Sequence, residues 1–490
     1  MRRGTIAFSE TGFLHAEAFV EKPGFLLSHL FASGGSMKSK RYYLLSLGCS
    51  KNSVDSDSMA QLLNASGYAG VTDPNDASIL IVNTCGFIGP AREESIRSLR
   101  ELAEGKHRRQ TLIAAGCLSQ IWGPQLVAAV PGIDGVIGTR RWMDIVEFTE
   151  QLRATKHPQP LYHLPEEAKV VGSDEHGALR VSQTGVSAYL KIADGCRRPC
   201  AFCSIPRIKG TAVSRPAEAI VREAQVLAQR GVRELILIAQ DLTDYGHDLG
   251  LKEGLPTLLE SICDSAPELK WIRLMYQYPG AVSDRLIEVM AARSQIVHYV
   301  DIPLQHGHPE VLKRMRRPAN IDWVYRTFEK IRTAMPDVAI RTTFIVGYPG
   351  ETDEEFEGLL QFVRDLQFDR VGAFQYSFEP GTPSAELGGQ IPDEVKQERY
   401  ERLMEMQQAI SLKRNQLHVG RTLDVLIEGQ GDGLTLGRSY RDAPEIDGMV
   451  ILQGEAPLGE FVPVKIDGAL TYDLTGQVEL RQGQVITLSA

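Results

Sequence analysis

Cys196-Arg197-Arg198-Pro199-Cys200-Ala201-Phe202-Cys203 follows the short apolar run Tyr189-Leu190-Lys191-Ile192. Three soft thiolates in a Cys-x3-Cys-x2-Cys loop suit an iron–sulfur cluster or zinc. Zinc in a structural site takes four ligands, and the sequence offers no fourth Cys or obvious His nearby. A four-iron cube on three thiolates instead keeps one iron open, as a catalyst requires. Around the loop, apolar runs at 188–192, 233–239, 270–276, 298–303, 338–346 and 370–377 read as strands. Helical patterns such as 216–230 and 352–367 separate them. Six strand–helix units predict an open barrel, short of the eight of a closed one, with chemistry at the mouth where the loop stands.

With Gly195 before it, the triplet resembles the radical S-adenosylmethionine (SAM) superfamily. That resemblance implies a [4Fe–4S] cluster on Cys196, Cys200 and Cys203, with the amino and carboxylate groups of SAM on the open iron. It also implies an external electron donor protein, whose electron cleaves the sulfonium to a 5′-deoxyadenosyl radical. The segment Phe344-Ile345-Val346-Gly347-Tyr348-Pro349-Gly350-Glu351-Thr352 reads as a strand turning sharply into a helix. Its glycines permit close backbone approach to a ligand, and in the enzymes it resembles the matching stretch lies against adenine. Gln240, Asp241, Arg341, Gly347 and Gly350 are the candidate cofactor-binding residues. Each alone also reads as a residue bordering a strand. Tyr245-Gly246 and Gln305-His306 stand at similar positions, and His306 by itself does not indicate a general base.

Upstream, Tyr42 to Leu47, Ile79 to Val82 and Leu112 to Ala115 are short continuous apolar strands. Helical patterns at 53–66, about 90–104 and around Leu126 to Val130 alternate with them, which predicts a parallel sheet covered on both faces. Each strand runs into a cysteine, at Gly48-Cys49, Asn83-Thr84-Cys85 and Gly116-Cys117. The carboxyl ends of parallel strands share one edge, so three cysteines 36 and 32 residues apart in sequence can meet in space.

These junctions, with Leu47-Gly48-Cys49-Ser50-Lys51-Asn52 and Asn83-Thr84-Cys85-Gly86-Phe87, resemble the amino-terminal domain of the methylthiotransferases. The resemblance covers roughly residues 40–490. It implies a second [4Fe–4S] cluster on Cys49, Cys85 and Cys117, again with one open iron, able to carry an extra sulfur. One SAM would then methylate sulfur from a sulfur donor, and a second would yield the radical that abstracts a substrate hydrogen. The competing readings are a nucleophilic Cys85 with a general base and a second cluster that only relays electrons.

The remaining sequence divides by composition. Residues 1–36 read as a poorly ordered extension, with Met37 an alternative start to Met1. Residues 37–150 form the first domain. Residues 151–181 are a linker rich in Pro, His, Glu and Gly that leads through a hairpin into the 182–418 barrel domain. Cys263, the seventh cysteine, lies in an apolar helical pattern and reads as core. A charged helix spans about 392–417. From Arg421 the period falls to two, and five short strands with Gly-rich turns at 429–433 and 453–459 predict a small antiparallel OB-like barrel over 419–490. The expected fold class is therefore α/β: a parallel-sheet domain, an open (β/α)6 partial barrel and a terminal β-barrel.

The terminal barrel resembles the TRAM module, which is associated with RNA binding. Residues 419–490 nevertheless carry eleven acidic residues against five basic ones, −6 of the chain's formal −9. RNA phosphates favour a basic surface, whereas this one suits a basic protein. The strings Leu47 to Asn52 with Asp55 and Ser56, and Ala443-Pro444-Glu445-Ile446-Asp447-Gly448, resemble the RimO branch. That branch implies methylthiolation of an aspartate β-carbon in ribosomal protein uS12, free or on the small subunit. The alternative is a tRNA adenosine. RNA contact stays open, but not through a basic barrel face. No stretch reaches eighteen consecutive apolar residues, and acidic residues interrupt the start, so neither a membrane span nor a secretory leader is expected. The expected location is cytoplasmic.

Overall fold

In the computed structural model the described residues are 40–154, 159–165 and 177–479. The reading of 1–36 as an extension lies outside them. Strands β1 (Arg41–Ser46), β2 (Ala69–Gly70), β3 (Ile79–Thr84), β4 (Thr111–Gly116), β5 (Gly135–Gly138) and β6 (Leu161–His163) form one sheet in the order β2-β1-β3-β4-β5-β6. Every neighbouring pair is parallel. All six side chains of β3 are buried, as a strand covered on both faces requires. Helices Ser50–Ala65, Gly89–Gly105, Cys117–Ala129 and Ile145–Ala154 supply that cover, and two apolar clusters pack against the sheet.

Three strands were expected here, and the structure adds β2, β5 and β6. Leu161–His163 falls within the 151–181 stretch read as linker, yet pairs with β5 from Gly135↔Leu161 to Ile137↔His163. A three-residue edge strand is too short to show a period.

Strand β7 (Val181–Thr184) forms an antiparallel hairpin with β8 (Ser187–Lys191), and β9 (Ala193–Asp194) pairs with β10 (Val213–Ser214). The barrel strands are β8, β11 (Glu234–Ile238), β12 (Trp271–Leu274), β13 (Tyr299–Asp301), β14 (Ala339–Val346) and β15 (Arg370–Gln375). They are parallel within the sheets β7-β8-β11-β12 and β13-β14-β15, apart from the β7 hairpin. At the seam a bridge joins Ile272 to Ile296, and the Gln277 N–H donates to the Asp301 carbonyl at 2.9 Å. The six-stranded open barrel expected from sequence is the one observed. Its outer core lies beneath the helices. An inner cluster joins Ile236, Ile238, Met275 and Tyr299 to Val54, so the helix Ser50–Ala65 of the first domain packs on the barrel interior. The long helix Asp393–Gln416 leads out.

Strands β16 (Thr422–Gly431), β17 (Leu434–Ser439), β18 (Val450–Gln453), β19 (Phe461–Ala469) and β20 (Leu474–Val478) close in the order β16-β17-β18-β20-β19. The expected all-antiparallel barrel is corrected at one point: β18 and β20 are parallel. Strand directions cannot alternate all the way round a closed ring with an odd number of members. This barrel docks through buried ion pairs. Arg438 meets Glu234 at 2.6 Å, Arg370 meets Asp442 at 2.7 Å, and the Tyr299 hydroxyl donates to Asp447 at 2.5 Å. Glu234, Tyr299 and Arg370 are the first residues of their strands, so the small barrel sits at the end opposite the cysteine loop. Among the described residues no helix is long and apolar enough to cross a membrane.

Candidate active site

Cys49, Cys85 and Cys117 lie at the carboxyl ends of β1, β3 and β4. Gly48 has φ +94°, and a Cβ there would stand 2.8 Å from Cys85 Cβ and 3.0 Å from its Sγ. The first two cysteine turns therefore touch, and only glycine fits between them. Cys49 caps the helix Ser50–Ala65. Three residues on, the Asn52 amide donates to the carbonyls of Leu47 at 2.8 Å and Thr84 at 3.1 Å. Its Oδ1 lies 3.6 Å from Cys117 Sγ, which donates to it. One buried asparagine thus ties all three strand ends. Burial pushes the Cys117 thiol up to about 12, reinforced by Cys85 and Cys49 nearby, and raises that of Cys85.

The central loop is held from outside. Cys196 N–H donates to Gly210 O at 3.0 Å, Ala201 N–H to Met315 O at 2.9 Å, and Cys203 N–H to Cys200 O at 3.1 Å. Gly195 has φ +77°, and a Cβ there would meet Thr211 O at 2.0 Å. Burial raises Cys196 to about 11 and Cys203 to about 12. The Arg317 guanidinium donates to Cys200 Sγ at 3.4 Å, and the Arg198 N–H to Cys196 Sγ at 3.5 Å. Arg198 and Arg317 both lie over the Tyr278 ring, at 4.2 and 4.6 Å. Buried thiols resist ionisation, and metal binding displaces their protons; the flanking guanidinium groups offset the resulting negative charge. Among the described residues, no three His, Cys, Asp or Glu close to the separation a single ion needs. A four-iron cube carries its irons at separate corners and accepts wider donor spacing.

The other predicted residues have mixed placements. Gln240 donates to Asp194 Oδ1 at 3.2 Å, while its own Oε1 is buried without a partner. Asp241 is bound to Arg198 at 2.6 Å and anchors the cysteine loop. Arg341 is committed to Asp301 at 2.9 Å and Asp447 at 3.5 Å, toward the docked barrel. Gly347 has φ +69°, and a Cβ would meet Lys396 Cγ at 2.3 Å, so the close approach visible there is to the exit helix. Gly350, at φ +74°, donates its N–H to Gly389 O at 2.8 Å. His306 is buried near Glu351, and burial lowers its pKa. Cys263 is buried within the helix Gly254–Ser265, as expected.

Sequence reading missed a buried ionic hub beside both cysteine sets. Asp55, six residues after Cys49, meets Arg180 at 2.6 Å, Lys209 at 3.1 Å and also Lys191. Asp194, two residues before Cys196, meets Lys209 at 2.9 Å and Lys191 at 3.3 Å. All five side chains are at most 3% exposed. Burial alone would raise both carboxyls, but Lys191, Lys209 and Arg180 outweigh it and hold them below the usual range. Burial dominates at Lys191, which falls to about 8. The available signal was a lysine inside an apolar strand, in Tyr189-Leu190-Lys191-Ile192.

Comparison with known proteins follows the same division. Residues 41–138 match the Uncharacterized protein family UPF0004, residues 190–363 the Radical SAM superfamily and residues 419–478 the TRAM domain. A ribosomal protein uS12 methylthiotransferase RimO from Chloroflexus aurantiacus is 50% identical over 452 residues, covering 89% of this chain and 99% of the relative. Another RimO, from Thermoanaerobacter sp., is 47% identical over 442 residues, covering 89% and 100%. Among solved structures, the radical SAM methyltransferase TsrM from Kitasatospora setae, with tryptophan and a SAM analogue bound, has a TM-score of 0.50 and 15% identity. It covers 83% of this chain and 80% of its own, a likeness of fold alone. With near-full-length relatives at half identity and all three family matches in order, the chain belongs to the RimO family of radical SAM methylthiotransferases.

Proposed function

We propose that this protein places a methylthio group on the β-carbon of an aspartate in ribosomal protein uS12, using two [4Fe–4S] clusters and SAM. The observation that carries the reading is the pair of cysteine triplets, one at three strand ends and one in a single loop, joined by the Asp55–Lys209 hub. In this reading Cys196, Cys200 and Cys203 hold the SAM-binding cluster, and Cys49, Cys85 and Cys117 hold the auxiliary one. When bound, these groups supply a hydrogen-abstracting radical and a methylated sulfur. The chain's own residues position and shield them. Asn52 fixes the auxiliary cysteines relative to one another, while Arg198 and Arg317 balance thiolate charge around the central loop. Gln240, with its unpartnered buried Oε1, is the best-placed polar group of the predicted set for SAM. Asp241, Arg341, Gly347 and Gly350 complete the candidate SAM-binding set, with Arg341 oriented by Asp301 and Asp447. A sulfur donor and an external electron donor protein complete the system.

The domain limits 37–150, 182–418 and 419–490 serve as the working division, with Leu161–His163 joined to the first domain. For the substrate, the surface of the terminal barrel matters. Asp442 and Asp447 are consumed at its docking face, as are Arg438 and Arg441. Over residues 419–479, eight carboxylate residues remain exposed against two exposed cations, Arg421 and Lys465. That balance favours a basic protein over tRNA. Mass spectrometry of uS12 from cells lacking the gene tests the assignment: loss of a methylthio increment on one aspartate supports it. An unchanged uS12 with a tRNA adenosine losing the group would transfer the protein to the RNA branch.

A further inference from the structure

Lys51 stands two residues after Cys49 and reaches the opposite domain. Its Nζ lies 2.9 Å from the centroid of the Tyr276 ring, just beyond the end of β12. Val54, one helical turn later, enters the barrel's inner cluster alongside Tyr276, so this face of the helix addresses the barrel. The cations near the two cysteine sets are mostly paired: Arg197 with Asp244, Arg198 with Asp241, Arg92 with Glu379, and Lys191 and Lys209 within the hub. Arg317 is spent on Cys200 Sγ and the Pro303 carbonyl, and Arg207 on the Pro380 carbonyl. Among the described residues Lys51 has no carboxylate partner.

Its platform is specially built. Tyr276 holds φ +65°, uncommon for a side-chain-bearing residue, and its N–H donates to Asp301 Oδ2 at 2.9 Å. Beside it, Gln277 is 1% exposed, yet neither end of its amide has a hydrogen-bond partner. A buried amide left unpaired costs free energy, so a polar group that reached it would be stabilised there.

We propose that the Lys51 ammonium binds the carboxylate of the substrate aspartate, with the Gln277 amide contributing to the same polar subsite. The inference rests on the uS12 reading and adds the residue that selects an acidic side chain. Hydrogen abstraction from a carbon next to a carboxylate requires that carboxylate to be fixed, and a charge-assisted contact does this with specificity. An asparagine at the target would keep the shape and lose the charge.

The test is a binding cycle on the reconstituted full-length enzyme. Affinities are measured for uS12 and for uS12 with its target aspartate changed to asparagine, using wild type, Lys51→Met and Lys51→Arg. Wild type should prefer aspartate by about ten- to a hundredfold. Lys51→Met should lose most of that preference, and Lys51→Arg should restore much of it. If Lys51→Met does not fold, by thermal melting and iron content, Lys51→Gln serves in the same cycle. A preference unchanged by either neutral variant overturns the role of Lys51 while leaving the uS12 reading intact. A wild type that neither binds nor modifies uS12 overturns both.

Discussion

Lys209 Nζ lies 3.1 Å from Asp55 Oδ2, joining the helix that begins after Cys49 to the segment that follows Cys203. Both side chains are 2% exposed. The contact turns two cysteine sites on separate domains into one mechanical unit, because Asp55 and Lys209 each lie six residues from a cysteine.

Removing Lys209 should therefore be costly. A buried pair broken on one side leaves a charge without its partner, at about 3–5 kcal/mol. Lys209→Met should lower the stability of the joined domains by that order in denaturant melts. Adding Asp55→Asn should cost less than the sum of the two single changes, since the sites are coupled. Strict additivity would show that the two do not share one network.

Acid should loosen the docked terminal barrel through Glu234. Burial would raise its carboxyl, but Arg438 and Arg273 overcome this and hold it at about 2, against 4.5 when free. A folded-state pKa below the unfolded one adds stability that is complete above about 4.5 and is lost as pH falls toward 2. Glu234→Gln should be less stable at neutral pH and should show a shallower loss of stability over that acid window. Thermal melts from pH 6 to pH 2 measure the slope; parallel curves for the two proteins would contradict the assignment.

The acidic face of the terminal barrel should steer uS12. Asp432 and Glu455 are exposed. Changing them to Asn and Gln should weaken uS12 binding severalfold at low ionic strength and flatten its salt dependence, because exposed charges act through a screened field. Equal affinity at every salt concentration would remove this face from substrate recognition.

Much of this was legible in the chain. Five of the six barrel strands show as apolar runs because both their faces are largely buried, while β15, half exposed toward its end, shows by its apolar Val371, Ala373 and Phe374. Cys49, Cys85 and Cys117 show because each stands one to three residues beyond a strand, and Cys196, Cys200 and Cys203 because they share one short Cys-x3-Cys-x2-Cys loop. β5 and β6 were hidden by brevity, and the parallel β18–β20 pair follows from closure of the ring, which no local pattern records. The site was less readable where polar residues serve packing. At Gly347 the sequence suggests close approach to a ligand but does not show that the missing Cβ also leaves room for Lys396. At Arg341 it suggests a rim cation but does not show that Asp301 and Asp447 orient it. Conversely, Asp55, Lys191 and Lys209 are distant in sequence, so only folding reveals that they share one buried hub.

The division of labour between the two cysteine sets is tested most directly by product analysis. Reconstituted wild type, Cys200→Ala and Cys85→Ala are each given SAM, a reductant, sulfide and uS12. Released 5′-deoxyadenosine and methylthio-uS12 are then quantified by mass spectrometry in the same samples. Cys200→Ala should form neither product, whereas Cys85→Ala should still release 5′-deoxyadenosine but give no methylthio-uS12. Equal loss of 5′-deoxyadenosine in both variants, with both folded, would contradict separate roles for the two sites.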